Sequence, residues 1–207
     1  MQIIKTGAGF LVALCIGLSL MAPQSVTARD TNVGADTIFA LTKQAQSGNV
    51  DAQYRLGSMY ANGKEVTKNH QLAEKWLTSA ANGKNAKAQA ELGMLYLTSD
   101  QINPDANKAV AWLQKAADAG NADGLLNLGS CYYEGFGVAK DYAKARQCYE
   151  SSWNKGEPLA AYQLGVLYEH GLGVKADRNK AIEYYRLADK KGLPQASAAL
   201  SKLGAAR

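Results

Sequence analysis

The dipeptide Leu-Gly occurs at Leu56-Gly57, Leu92-Gly93, Leu128-Gly129 and Leu164-Gly165, each pair 36 residues after the one before. A tyrosine stands three positions beyond each glycine: Tyr60, Tyr96, Tyr132 and Tyr168. A fixed period of this length marks stacked supersecondary units, none of which buries its apolar face alone. Length by itself would allow one or two domains in 207 residues, but the repeat argues for one elongated domain. Such an array presents an extended binding surface more readily than a closed catalytic pocket.

Set on this period, the sequence falls into columns. Ala73, Ala109, Ala145 and Ala181 form a small column, and Ala52, Ala88, Gly124, Ala160 and Ala196 another. Leu77, Leu113, Tyr149 and Tyr185 form a large one beside Trp76, Trp112, Cys148 and Tyr184. Ala52, Leu56, Met59 and Tyr60 make a helical stripe, as do Ala73, Trp76, Leu77 and Ala80, so each unit reads as two helices. Gly63, Gly135 and Gly171 are placed to stop the first helix. Asn69, Asp105, Asp141 and Asp177 are placed to cap the second, each worth ~1 kcal/mol over alanine. Gly83, Gly120, Gly156 and Gly192 close the second helix, and Pro158 and Pro194 suit the first turn of the next. Unit two has no glycine in its connection, Thr98 to Pro104, and its loop shape is left open. The expected layout is a capping helix over 35–48, units over 49–84, 85–120, 121–156 and 157–192, and a closing helix over 193–207. That is an all-α chain of about ten helices.

The glycine of Leu-Gly falls mid-helix, where it costs ~1 kcal/mol against alanine. Four such costs in register imply a geometric demand, and close approach to the alanine column of Ala73 is the simplest one.

The first 28 residues read as an export signal. Lys5 supplies the positive start, Gly7 to Met21 the apolar core, and Val26-Thr27-Ala28 a small-residue cleavage site. Cleavage after Ala28 would leave a loose stretch over 29–34 and place the protein in the periplasm or outside the cell. A retained anchor is the rival reading, but the apolar run is short for a span of ~20 residues. Cys15 departs with the signal, leaving Cys131 and Cys148. An even count in an exported chain permits a disulfide, and two buried free thiols are the alternative.

Little here points to chemistry. The net charge of +5 is spread over interspersed signs, which reads as a solvated surface and not a nucleic-acid footprint. His70 and His170 lie in different units without a partner ligand at helical spacing, so both read as surface residues and no metal is implied. Ser130-Cys131 lies on a helix and not in a nucleophile elbow, and the carboxylates are scattered. No cofactor and no catalytic residue are expected.

In unit four the columns read Ala160, Leu164-Gly165, Tyr168, Gly171-Leu172-Gly173-Val174, Asp177, Lys180-Ala181 and Tyr184-Tyr185, and unit three matches through Gly135-Phe136-Gly137-Val138. This pattern resembles the Sel-one-like repeat (SLR) family, a relative of the tetratricopeptide repeat, over about Ala35 to Leu203. The resemblance implies a right-handed α-solenoid with a concave face, serving as an adaptor for a protein or peptide partner. By analogy with the tetratricopeptide fold, Tyr54, Leu126 and Tyr162 would point into the groove with Ser58, Met94, Ser130 and Val166, and with Leu97 and Tyr133 one turn on. Arg55, Asn127 and Gln163 would flank it. Partial packing of these residues between neighbouring units is the competing reading. A cysteine-rich branch of the family is linked to β-lactam binding or cleavage, but it carries a cysteine pair in nearly every unit where this chain has one. A hydrolase acting on β-lactams or cell wall is therefore the alternative function, and a secreted factor engaging a receptor is another. Neither partner identity nor oligomeric state is legible.

Overall fold

The computed structural model describes the chain from Ala28 to Ala205 apart from Asp100, Gln101 and Asn103, with side chains described from Thr37 onward. The expected signal segment and Cys15 lie outside these residues. Ten helices and no strand are present among the described residues: α1 (Ala28–Gln46), α2 (Val50–Asn62), α3 (His70–Asn82), α4 (Ala86–Thr98), α5 (Ala106–Asp118), α6 (Ala122–Glu134), α7 (Tyr142–Asn154), α8 (Pro158–His170), α9 (Arg178–Lys190) and α10 (Pro194–Lys202). Helix α1 is described from Ala28, so the stretch 29–34 expected to be loose is helical. It contains no proline, and a helix once nucleated adds a hydrogen bond with every further residue.

Helices α2 to α9 each span 13 residues, and the caps explain that uniformity. Asn69, Asp105 and Asp141 accept from the backbone N–H three residues on, and Asp177 accepts from Asn179 and Lys180. The first helices are capped too, by Asn49, Asn85 and Asn121. Gly63, Gly135 and Gly171 close α2, α6 and α8 in the left-handed conformation.

Unit two solves its missing glycine differently. Helix α4 ends at Ser99 in extended conformation, and the Ser99 hydroxyl oxygen accepts from Ile102 N–H at 3.1 Å. His70 Nδ1 lies 2.5 Å from the same hydroxyl. His70 is thus buried, 5% exposed, and not the surface residue expected from its place beside a cap. In all four units the cap N–H still bonds the carbonyl of the column tyrosine, from Asn69→Tyr60 at 2.9 Å to Asp177→Tyr168 at 2.8 Å. That bond keeps every connection the same length.

The second-helix ends follow a column shifted by one in unit one. Gly48, Gly120, Gly156 and Gly192 have positive φ, and Lys84 occupies the equivalent place with φ 63. Gly83 sits one residue early with φ −73, and a Cβ there would stand 2.6 Å from Val50 Cγ2. Its absence of a side chain serves packing and not the turn.

Close helix contact does explain the Leu-Gly column, and at Gly93 the expected alanine column takes part through the Ala109 carbonyl oxygen at 3.0 Å, but the nearest partner in every unit is another residue. A Cβ built on Gly57 would lie 2.8 Å from Leu77 Cγ, on Gly93 2.7 Å from Leu113 Cγ, on Gly129 2.7 Å from Tyr149 Cε1 and on Gly165 2.5 Å from Tyr185 Cε1. These neighbours lie one turn beyond the alanines, because the large side chain occupies the space a Cβ would take. All four are nearly fully buried, and burial of each contributes ~1.5–3 kcal/mol.

Consecutive helices pack throughout, and in addition α2 touches α4 and α4 touches α6. The first helices therefore line the inner side of the solenoid, and the second helices form its outer side.

Candidate functional site: the inner face

The residues foreseen for the groove lie on α2, α4, α6 and α8, and the packing divides them. Tyr54, Ser58, Met94, Leu97, Asn127, Ser130, Tyr133, Tyr162, Gln163 and Val166 are half-buried, and Arg55 is exposed on the rim. Leu126 is 8% exposed and packs with Ala145, Tyr149, Ala160 and Leu164, so it belongs to the core beneath the groove. Leu97 also packs against core clusters on both sides, and Val166 joins the cluster under α10.

Tyrosine rings dominate the C-terminal half. Tyr133 meets the edge of Tyr142 at 5.3 Å between ring centres, and Tyr162 leans on Tyr185 at 5.3 Å. The buried second-helix tyrosines reach through to this face. Tyr149 donates to Ser130 Oγ at 3.4 Å, and Tyr185 donates to Glu169 Oε2 at 2.5 Å. Burial and the nearby carboxylates raise the Tyr133 and Tyr162 hydroxyls, so they stay neutral hydrogen-bonding groups at any ordinary pH.

In the N-terminal half one carboxyl, Glu91, sits between two inner helices. Ser58 on α2 donates to Glu91 Oε1 on α4 at 2.9 Å, and Asn62 Nδ2 donates to the Ser58 backbone carbonyl at 3.0 Å. Glu91 Oε2 is shielded from solvent and accepts no hydrogen bond. Desolvation pushes the Glu91 carboxyl above its ordinary value; the Ser58 bond opposes this and the charge of Asp123 adds to it. Burial raises the Tyr54 hydroxyl first, and Glu91 and Asp123 raise it further. Three successive first helices thus contribute to one electrostatic group. Glu91 was not among the foreseen residues, although it shares the column of Arg55, Asn127 and Gln163 and is its one carboxylate.

The cysteines are both free thiols, Cys131 buried and Cys148 half-buried, so the disulfide permitted by their number is not formed in this structure. Burial pushes both up to about 11, the charge of Cys148 adding to the effect on Cys131. Neither is a thiolate at neutral pH, which removes their nucleophilicity. Among the described residues no group of three His, Cys, Asp or Glu could hold a metal ion, and no helix is long and apolar enough to cross a membrane.

The Sel1 repeat pattern matches this chain four times, over residues 50–85, 86–121, 122–156 and 158–192. The chain belongs to the Sel1 repeat family. A Sel1 repeat protein from Oxalobacter formigenes is 32% identical, with a TM-score of 0.71 over 83% of this chain and 74% of its own. The protective antigen c5321 of uropathogenic Escherichia coli, which displays an SLR fold, is 26% identical with a TM-score of 0.72. That likeness covers 84% of this chain but 41% of the antigen, so this Sel1 repeat protein spans well under half of it. Cysteine-rich protein B of Helicobacter pylori shares the fold at 21% identity and a TM-score of 0.50. No curated protein matches the chain. Family membership makes the molecule a right-handed α-solenoid, in a family whose members generally mediate protein–protein interaction and generally serve as non-catalytic scaffolds.

Proposed function

We propose that this Sel1 repeat protein is exported and holds an extended peptide or a helix of a partner protein along its inner face. One observation carries the reading. Tyr54, Tyr133 and Tyr162 keep part of their rings in solvent on the inner face, while Tyr149 and Tyr185 beneath them are 1% exposed. Aromatic rings that are already ordered lose little entropy on binding, and a row of them suits a partner laid across successive helices. Export rests on the positive, apolar and small-residue order of the first 28 residues.

The test has two arms. Crosslinking in living cells, followed by recovery of the Tyr54→Ala/Tyr162→Ala double variant, should yield less partner than the unaltered protein, with melting unchanged. Undiminished recovery moves the interface to the outer helices or the ends. The N-terminal residue of the exported protein should be Arg29; a chain beginning at Met1 in the cytosol contradicts export.

A further inference from the structure

The inner face has a charge of opposite sign to the chain that bears it. Lys and Arg total 23 against 18 Asp and Glu, giving +5 overall. The inner helices α2, α4, α6 and α8, however, carry Asp51, Glu91, Asp123, Glu134 and Glu169 against Arg55 and Lys87, and four of these acids, Glu91, Asp123, Glu134 and Glu169, act on the rings of Tyr54, Tyr133 and Tyr162. The column lysines are occupied at the loop edge instead, with Lys108, Lys144 and Lys180 each resting 5.1–5.5 Å over the ring centre of Tyr96, Tyr132 or Tyr168. None of the salt bridges among the described residues involves Glu91. Arg55 projects from the rim, exposed, and does not answer it.

Glu91 is the centre of this arrangement. One oxygen is held by Ser58 at 2.9 Å, and the other is shielded from solvent with no donor. Folding alone gains nothing from a carboxylate in that state, since burying an ion with an unanswered oxygen is unfavourable. Glu91 as a whole keeps part of its surface in solvent, so a guanidinium or ammonium group that inserts beside it and displaces the side chains over that oxygen would supply the missing donor in a partly desolvated site, where charge-assisted bonds are strongest. The adjacent Tyr54 ring offers the same cation a second attraction through its face.

We propose that the partner segment is basic, an extended peptide that sets an arginine or lysine against Glu91 beside Tyr54 and apolar side chains against Tyr133 and Tyr162. This rests on the groove reading above and specifies its occupant. Arginine suits the position better than lysine, because its planar fork can engage a carboxylate and lie on an aromatic ring together.

The experiment uses fluorescein-labelled peptide pools of about nine residues, the length that crosses several helices. The central position is fixed as arginine, citrulline, leucine or glutamate and the flanks are degenerate. Fluorescence anisotropy against the protein should give the arginine pool about tenfold tighter binding than the citrulline pool, as a charge-assisted bond implies. The preference should vanish in Glu91→Gln, which keeps the Ser58 bond, and the melting temperature of that variant should not fall. Equal binding of arginine and citrulline pools, or a preference that survives Glu91→Gln, overturns the proposal. If the leucine pool binds tightly and loses its hold in Tyr162→Ala while charge makes no difference, the groove stands and the basic partner fails. If no pool binds, both fail. Sedimentation showing that the protein self-associates through this face would assign it to a second copy and likewise overturn the proposal.

Discussion

Units one and two place leucine over the Leu-Gly glycine, and units three and four place tyrosine there. In the first pair the space left by the glycine is filled by the apolar side chain of Leu77 or Leu113. In the second pair the ring of Tyr149 or Tyr185 fills it and carries a hydroxyl through to the inner face, onto Ser130 or Glu169. A second column changes at the same boundary. Gln53 and Gln89 clamp the carbonyls of Ala45 and Ala81 in the preceding helix, at 3.0 and 3.1 Å, where units three and four have Leu125 and Ala161. One repeat geometry therefore accepts two kinds of core. The N-terminal half keeps its polar stitching between units and one half-buried carboxyl, Glu91, on its inner face, and the C-terminal half moves polarity onto tyrosine tips. The backbone demand, a missing Cβ, is the constant; the side chain above it is free to serve the surface.

The largest test of this contrast truncates the residue over the glycine. Tyr149→Ala should cost ~3–5 kcal/mol and Leu77→Ala ~2–5 kcal/mol in urea unfolding, since both are essentially inaccessible to water. A Tyr149 variant as stable as the parent would show that the tyrosine half is held by something other than this contact.

Filling the gap instead should also harm. Gly165→Ala sets a Cβ 2.5 Å from a buried ring, and overpacking of that kind costs ~1–3 kcal/mol, more than the helix propensity of alanine returns. Gly57→Ala meets both Leu77 Cγ at 2.8 Å and its backbone nitrogen at 2.9 Å, and should likewise lower the melting temperature. A rise in either variant would break the close-contact account for that half.

The half-buried Glu91 of the N-terminal half predicts a pH effect. The folded state raises the Glu91 carboxyl above its ordinary value of 4.5, so the native chain holds that proton more tightly than the unfolded chain. The stability this contributes is fully present below that ordinary value and is lost as pH rises through the raised one. Glu91→Gln should accordingly gain on the parent between about pH 4 and pH 7, by urea unfolding at both ends. A gap that shrinks over that range would mean the carboxylate is stabilised by its surroundings.

The smallest effect concerns the turn where unit one departs from its neighbours. Lys84→Gly should raise stability by ~0.5–1 kcal/mol, because Lys84 alone holds a left-handed place that glycine fills at residues 48, 120, 156 and 192. No gain in calorimetry would mean that the lysine side chain compensates.

The repeat made the helices, their caps and their order legible, because each column reports an environment four times over. What it could not report was the relation between one unit and the next. Leu126 looked like a groove residue because its column holds Tyr54 and Tyr162, but the shorter side chain sinks into the core against α7 and α8. Glu91 looked like one scattered acid because its partner, Ser58, lies 33 residues earlier on the neighbouring first helix. His70 followed a cap and read as exposed, yet Ser99 at the end of α4 lies against it. Each miss involves a contact outside the residue's own helix pair, where helical period carries no signal. The Leu-Gly glycine was read as a contact but assigned to the alanine one turn short, since spacing tells which face a residue is on and not how deep its neighbour reaches.

Hydrogen exchange of the protein with and without its tightest-binding peptide tests most directly whether recognition belongs to the inner face. Protection should appear on α2, α4, α6 and α8, with α3, α5, α7 and α9 unaltered. Protection confined to the second helices or to α1 and α10 would contradict the account.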